Sequence, residues 1–122
     1  MNQDSSSSPV DSRVAAAQDS SDLKLGGNII LKGFKECEYS ELIVIKKIVG
    51  NYARKFSDAS TDFQNLSLVM KIIHQTPGSN KYEVHAKTQD KGTVYASEVT
   101  DRNLFFAIDS SLKKVASEMG MK

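Results

Sequence analysis

Apolar and polar residues change period several times along the chain, and these changes divide it into elements. The sharpest change falls between Thr93 and Met119. Thr93, Tyr95, Ser97 and Val99 alternate with Val94, Ala96 and Glu98, a period of two that predicts a strand. Phe105, Ile108, Leu112, Val115 and Met119 then recur at spacings of three and four, which puts them on one stripe of a helix. Between the two, Thr100 or Asp101 is placed to accept from the first-turn amides, and Asp101 suits the positive helix end. The helix needs an apolar surface to lie on, and the strands before it supply one.

The same reading extends upstream. A first strand is expected near Asn28-Ile-Ile-Leu-Lys-Gly33, with Gly26-Gly27 before it. Phe34 to Tyr39 is a connection, and Ser40-Glu41 opens a helix. Leu42, Ile45, Val49, Tyr52 and Phe56 form its buried stripe, with Ile48 alongside, while Lys46, Lys47, Asn51, Arg54 and Lys55 cover much of the rest. Gly50 lies mid-helix, where glycine costs about 1 kcal/mol relative to alanine. Close contact with the sheet or with a partner's backbone would account for it, as would drift.

After a polar connection from Ser57 to Asn65, Leu66, Leu68, Met70, Ile72 and His74 alternate with Ser67, Val69, Lys71 and Ile73 in a second strand. Thr76-Pro-Gly-Ser-Asn80 is a turn. Tyr82, Val84, Ala86 and Thr88 mark a third strand, and Asp90-Lys-Gly92 leads tightly into the fourth. The predicted order is β-α-β-β-β-α. This is an α+β fold whose four-stranded sheet carries both helices on one face, the simplest way to bury both stripes. The first strand reaches the sheet through a helix, so it is expected to pair in parallel with a neighbour.

Composition adds a division of charge. Residues 1–22 hold one cation, Arg13, against Asp4, Asp11, Asp19 and Asp22, a net of −3; the remaining 15 cations and 11 carboxylates give +4. The 1–22 segment is Ser-rich, with Val10 and Val14 its only aliphatic residues larger than alanine beyond Met1, and it is expected to be a disordered acidic tail. Residues 23–122 are expected to form one domain. The polar N-terminus without an apolar signal core, the lone Cys37 and a mean hydropathy of −0.37 point to a soluble cytoplasmic protein with no disulfide framework and no membrane association.

No catalytic constellation or phosphate-binding glycine motif is present, and no cofactor, metal or small-molecule substrate is expected. Cys37, His74 and His85 are the only soft metal ligands and sit at no recognised spacing. Cys37 would need a positioned base to act as a nucleophile, and no residue pattern supplies one. Basic residues are more informative. Lys46, Lys47, Arg54 and Lys55 on the first helix, with Arg102, Lys113 and Lys114 at the last, fall on predicted outer faces. Lys71, Lys81, Lys87 and Lys91 add cations on strands and turns. Such residues are usually only solvated, but side-by-side helices would merge theirs into a phosphate-binding surface. Phe106 lies off the buried stripe, free to stack on a base or to pack at the edge of the core.

These residues carry a resemblance. Asn103-Leu-Phe-Phe-Ala-Ile-Asp109 followed by Leu112-Lys-Lys-Val115 resembles the start of the last helix in ribosome hibernation-promoting factors, the ribosome-associated translation inhibitor family. Tyr82-Glu-Val-His-Ala-Lys87 and Gly92-Thr-Val-Tyr-Ala-Ser97 are similar to its third and fourth strands, and Ile29-Ile-Leu-Lys-Gly33 with the helix ending at Lys55-Phe56 is similar to its opening. The resemblance runs from about Asn28 to Met119 and leaves residues 1–27 without a counterpart. It implies a layout like that of double-stranded-RNA-binding domains. It also implies a non-enzymatic translation inhibitor in stationary or stressed cells, monomeric off the ribosome. Such a factor binds ribosomal RNA in the decoding region of the small subunit and occludes the messenger and transfer RNA sites. The residues the resemblance implies in RNA binding are Lys46, Lys47, Arg54, Lys55, Lys113 and Lys114; the pattern of exposed residues adds Lys81, Lys87, Lys91, Arg102 and Phe106 as candidate further contacts. The alternative on the same fold is a protein-interaction module that binds no RNA.

Overall fold

The computed structural model describes residues 22–24 and 28–121; residues 1–21, Gly26-Gly27 and the expectations attached to them lie outside it. The elements are β1 (Asp22–Lys24), β2 (Ile29–Lys32), α1 (Tyr39–Ala59), β3 (Phe63–Thr76), β4 (Ser79–Asp90), β5 (Thr93–Asp101) and α2 (Leu104–Glu118). They build a five-stranded sheet in the order β1-β2-β3-β4-β5. β2 and β3 pair in parallel across α1, as a strand reached through a helix should, and the other neighbours are antiparallel.

Alternation gives the sheet two unlike sides. Leu31, Leu68, Ala86 and Ser97 form one cross-strand row, flanked by Leu66 with Thr88 and by Met70 with Val84. All of these except Ser97 are buried. Ile45, Val49, Ala53 and Phe56 of α1 join the same core, as do Leu104, Ala107, Ile108, Leu112 and Val115 of α2. Burial of one such aliphatic side chain stabilises the fold by about 1.5–3 kcal/mol, so this layer dominates the energetics. The Ser97 hydroxyl donates to the Ser111 carbonyl at 2.6 Å and ties α2 to β5. The Tyr52 hydroxyl donates to Asp109 Oδ1 at 3.0 Å and ties α1 to α2. Both helices therefore lie on one face, with their first turns at the same pole.

The connections follow turn chemistry. Pro77-Gly78 joins β3 to β4 with Gly78 at φ 78°, and Lys91 (54°) and Gly92 (79°) form the two-residue turn into β5. Positive φ at both central positions matches the right-handed twist of a hairpin. Gly33 (φ 82°) turns the chain from β2 towards α1, and a Cβ there would run into the Met70 carbonyl oxygen.

Four expectations need correction. The sheet has five strands rather than four, because Asp22, read as tail, opens a three-residue edge strand that pairs with β2. The first helix starts at Tyr39, not Ser40-Glu41; the Glu41 carboxylate accepts the Glu38 amide at 2.9 Å and closes the helix start. It ends at Ala59, and β3 already begins at Phe63, so the Ser57–Asn65 connection shrinks to three residues. The cap of α2 is Asn103, which accepts from the Phe106 amide at 3.0 Å; Asp101 instead accepts from the Asn103 amide at 2.8 Å.

Candidate nucleic-acid interface

The outer surface of α1 divides along its length. Its first two turns expose Tyr39, Ile43 and Val44, and the turns that follow expose Lys46, Lys47, Arg54 and Lys55. Residues four apart on a helix stack in one column, so Lys46, Gly50 and Arg54 are aligned, with Lys47 beside them. Only Glu41 and Asp58 oppose these four cations on the helix. Among the described residues, none of the four enters an ion pair within 4.0 Å.

The cations of α1 continue onto α2 at one place. Lys55 Nζ stands 5.1 Å from the centroid of the Tyr52 ring, a cation–π contact that leaves its charge facing outward. Tyr52 donates to Asp109, and Lys113 Nζ approaches the other oxygen of Asp109 at 4.0 Å. Lys55 and Lys113 thus meet at a single seam, with one carboxylate between them. Burial, reinforced by hydrogen bonding to the Asp109 carboxylate and by its charge, pushes the Tyr52 hydroxyl up to about 12, so it stays a donor at neutral pH. Lys114 is exposed and lies about 100° further round α2 than Lys113. On α2 the two lysines are balanced by Asp109 and Glu118, so the patch centres on α1.

Of the additional predicted contacts, only Phe106 joins this face: it is 56% exposed on α2. Lys81 and Lys87 alternate with the core residues of β4 and therefore face the open side of the sheet, away from both helices. Lys91 sits in the β4–β5 turn at the pole where α1 ends, its amide bonded to the Asp62 carbonyl. Arg102 lies at the other pole, donating to Ser79 Oγ at 2.9 Å.

The open sheet side holds a cluster the sequence reading passed over. His85 Nε2 lies 2.6 Å from Glu83 Oε2, and Nδ1 lies 3.8 Å from Glu98 Oε1. Glu98 is opposite His85 in the register, and Glu83 is two residues along the same strand. Alternation together with the Lys91-Gly92 turn aligns them, once that turn is known to pair Asp90 with Thr93. The three groups offer ligand atoms within 4.8 Å of one another. Both imidazole nitrogens already face carboxylates, so a cation would have to displace one contact. Lys71 lies across from Glu83 and Ser67 across from Lys87, so the charges on this side are interleaved.

At the pole where the helices begin, a cleft of about 330 Å³ is lined by Cys37, Glu36, Glu38, Glu41, Tyr82 and Leu104, among others. Burial, then the nearby Glu41 carboxylate, pushes the Cys37 thiol up to about 11, so it stays protonated at neutral pH and is a poor nucleophile. The side chain of His74 is not among those described. Among the described residues, no helix is long and apolar enough to cross a membrane. No protein-family model matches the chain, and no curated protein matches it.

Proposed function

We propose that this protein is a cytoplasmic ribosome-associated translation inhibitor. In this reading it binds ribosomal RNA of the small subunit in the decoding region, blocks the messenger and transfer RNA sites by occupancy, and catalyses nothing. The observation that carries the reading is the outer face of α1, where four exposed cations stand without ion-pair partners among the described residues and one of them, Lys55, meets Lys113 at the Tyr52–Asp109 seam. Such a surface gains affinity for a polyphosphate by releasing condensed counterions. The decoding region, the occlusion of messenger and transfer RNA, and the role in stressed cells come from the family resemblance of Asn103–Val115 and the strands before it.

The test is co-sedimentation of the tagged protein with small ribosomal subunits on sucrose gradients at low and high salt. Binding should fall steeply with salt, and joint replacement of Lys46, Lys47, Lys113 and Lys114 by Gln should weaken it strongly. Unchanged co-sedimentation of that variant would mean the surface is misassigned.

A second reading has its own observation. Tyr39 is 77% exposed, with Ile43 and Val44 exposed beside it. An apolar cluster of this kind suits a protein groove better than a phosphate backbone. A nuclease-resistant protein partner that is lost on Ile43→Ser, with small-subunit binding absent, would favour an interaction module.

A further inference from the structure

Gly50 occupies an exposed position in the middle of α1, where glycine is disfavoured relative to alanine. Nothing in the fold requires it. It is not among the positive-φ glycines Gly33, Gly78, Gly92 and Gly120. A Cβ built on it meets nothing within 4 Å, whereas one on Gly33 would strike the backbone of Met70. Contact with the sheet, one of the two physical reasons the sequence allows, is therefore ruled out, because the position opens on solvent.

Its helical neighbours give it a chemical setting. Lys46 lies one turn before it and Arg54 one turn after, in the same column, about 6 Å away along the axis in each direction. Lys47, three residues earlier, flanks the column. Gly50 is thus the low point of a ridge whose two shoulders are cations. We propose that this notch seats a phosphodiester backbone, with an RNA strand crossing α1 at Gly50 between Lys46 and Arg54. This deepens the reading given above and rests on it.

The notch works by proximity. Mid-helix amides are already hydrogen-bonded within the helix, so Gly50 adds no new donor. Without a Cβ, a sugar–phosphate chain can lie against the helix backbone, which shortens its distance to the flanking charges. The lysine serves as a mobile point charge and the arginine as a planar fork suited to two phosphate oxygens. A single methyl at position 50 would lift the strand off that floor without touching the protein's own packing.

The test measures binding of the full chain to purified small ribosomal subunits across a salt series, together with its thermal melt. Gly50→Ala should leave Tm unchanged or raise it, because helix propensity improves and no clash is made. Affinity should nevertheless drop about tenfold. The slope of log affinity against log salt should stay at the wild-type value, because no charge is lost. Wild-type affinity in Gly50→Ala would overturn the notch. A Lys47→Gln, Arg54→Gln variant in the same series separates the two levels of inference. If it loses affinity and flattens the slope while Gly50→Ala binds normally, the RNA reading stands and the notch falls. If it binds like wild type, both fall. Poly-glutamate that competes as well as an RNA duplex would also overturn the proposal, in favour of an acidic protein partner.

Discussion

The two sides of this small sheet carry similar numbers of cations and put them to different use. On the helical side, Lys46, Lys47, Arg54 and Lys55 project from one helix with two carboxylates on the same element. On the open side, Lys71, Lys81 and Lys87 share the sheet face with Glu83, His85 and Glu98, and the register sets Lys71 across from Glu83. Interleaved charges cancel within about a Debye length, whereas unopposed charges sum into a field that reaches a polyanion. Counting lysines cannot separate the two sides, but their arrangement can.

The largest effect is expected where the helical side is anchored to the sheet. Gly33→Ala puts a Cβ into the Met70 carbonyl at a φ of 82°, just where the chain leaves β2 for α1. Urea unfolding should show a loss of about 3 kcal/mol or more. A loss under 1 kcal/mol would mean that this turn does not place α1.

Next comes the seam that joins the two helices. Tyr52→Phe removes the hydrogen bond to Asp109 and should cost about 1 kcal/mol. It also carries a pH signature. Folding holds the Tyr52 hydroxyl at about 12, above its ordinary value of 10.0. The neutral hydroxyl is thus favoured in the folded state, so this stability is complete below pH 10 and is lost as pH rises towards 12. The measure is the difference between wild type and Tyr52→Phe, in which every titration common to both cancels. That difference should shrink over this window; a constant difference would sever the pH dependence from the seam.

Smaller still is the effect of unmasking the open side. Glu83→Gln with Glu98→Gln removes both carboxylates facing His85 and should raise affinity for heparin about threefold, with the fold intact. No gain would show that burial or geometry, rather than charge cancellation, silences this side. The smallest effect belongs to Lys113→Gln. Its exposed pair with Asp109 four residues earlier is worth about 0.3–0.5 kcal/mol in thermal unfolding.

Much of the architecture could be read from the residues. Leu66 to Met70 and Tyr82 to Thr88 bury one side only, and Thr93 to Val99 half-buries Tyr95, Ser97 and Val99 against exposed Val94, Ala96 and Glu98, so their alternation survived in the sequence. Pro77-Gly78 and Lys91-Gly92 marked the hairpin turns. What escaped depends on partners rather than pattern. Asp22–Lys24 is too short to alternate, and it is a strand because β2 offers it a pairing edge. Ala53, Ala107 and Ser111 are buried but too small or polar to stand out on a stripe. The cap of α2 moved to Asn103 because Asp101 still pairs with Tyr82 in the sheet. The candidate interface was legible in part. Helical period placed Lys46, Lys47, Arg54 and Lys55 outward, and the alternation of β4 already set Lys81 and Lys87 on the face opposite its core residues Val84, Ala86 and Thr88.

The central claim is that unopposed cations on the helical side, rather than the total charge, confer ribosomal RNA binding. Two variants with the same charge change test it against small ribosomal subunits over a salt series: Lys46, Lys47, Arg54 and Lys55 to Gln, and Lys71, Lys81, Lys87 and Lys32 to Gln, Lys32 being exposed next to the core residue Leu31 on β2 and so on the open side. The account predicts that the helical variant loses at least about 100-fold in affinity with a flatter salt slope, while the sheet variant stays within about threefold of wild type. Equal losses in the two, or a greater loss in the sheet variant, would contradict it.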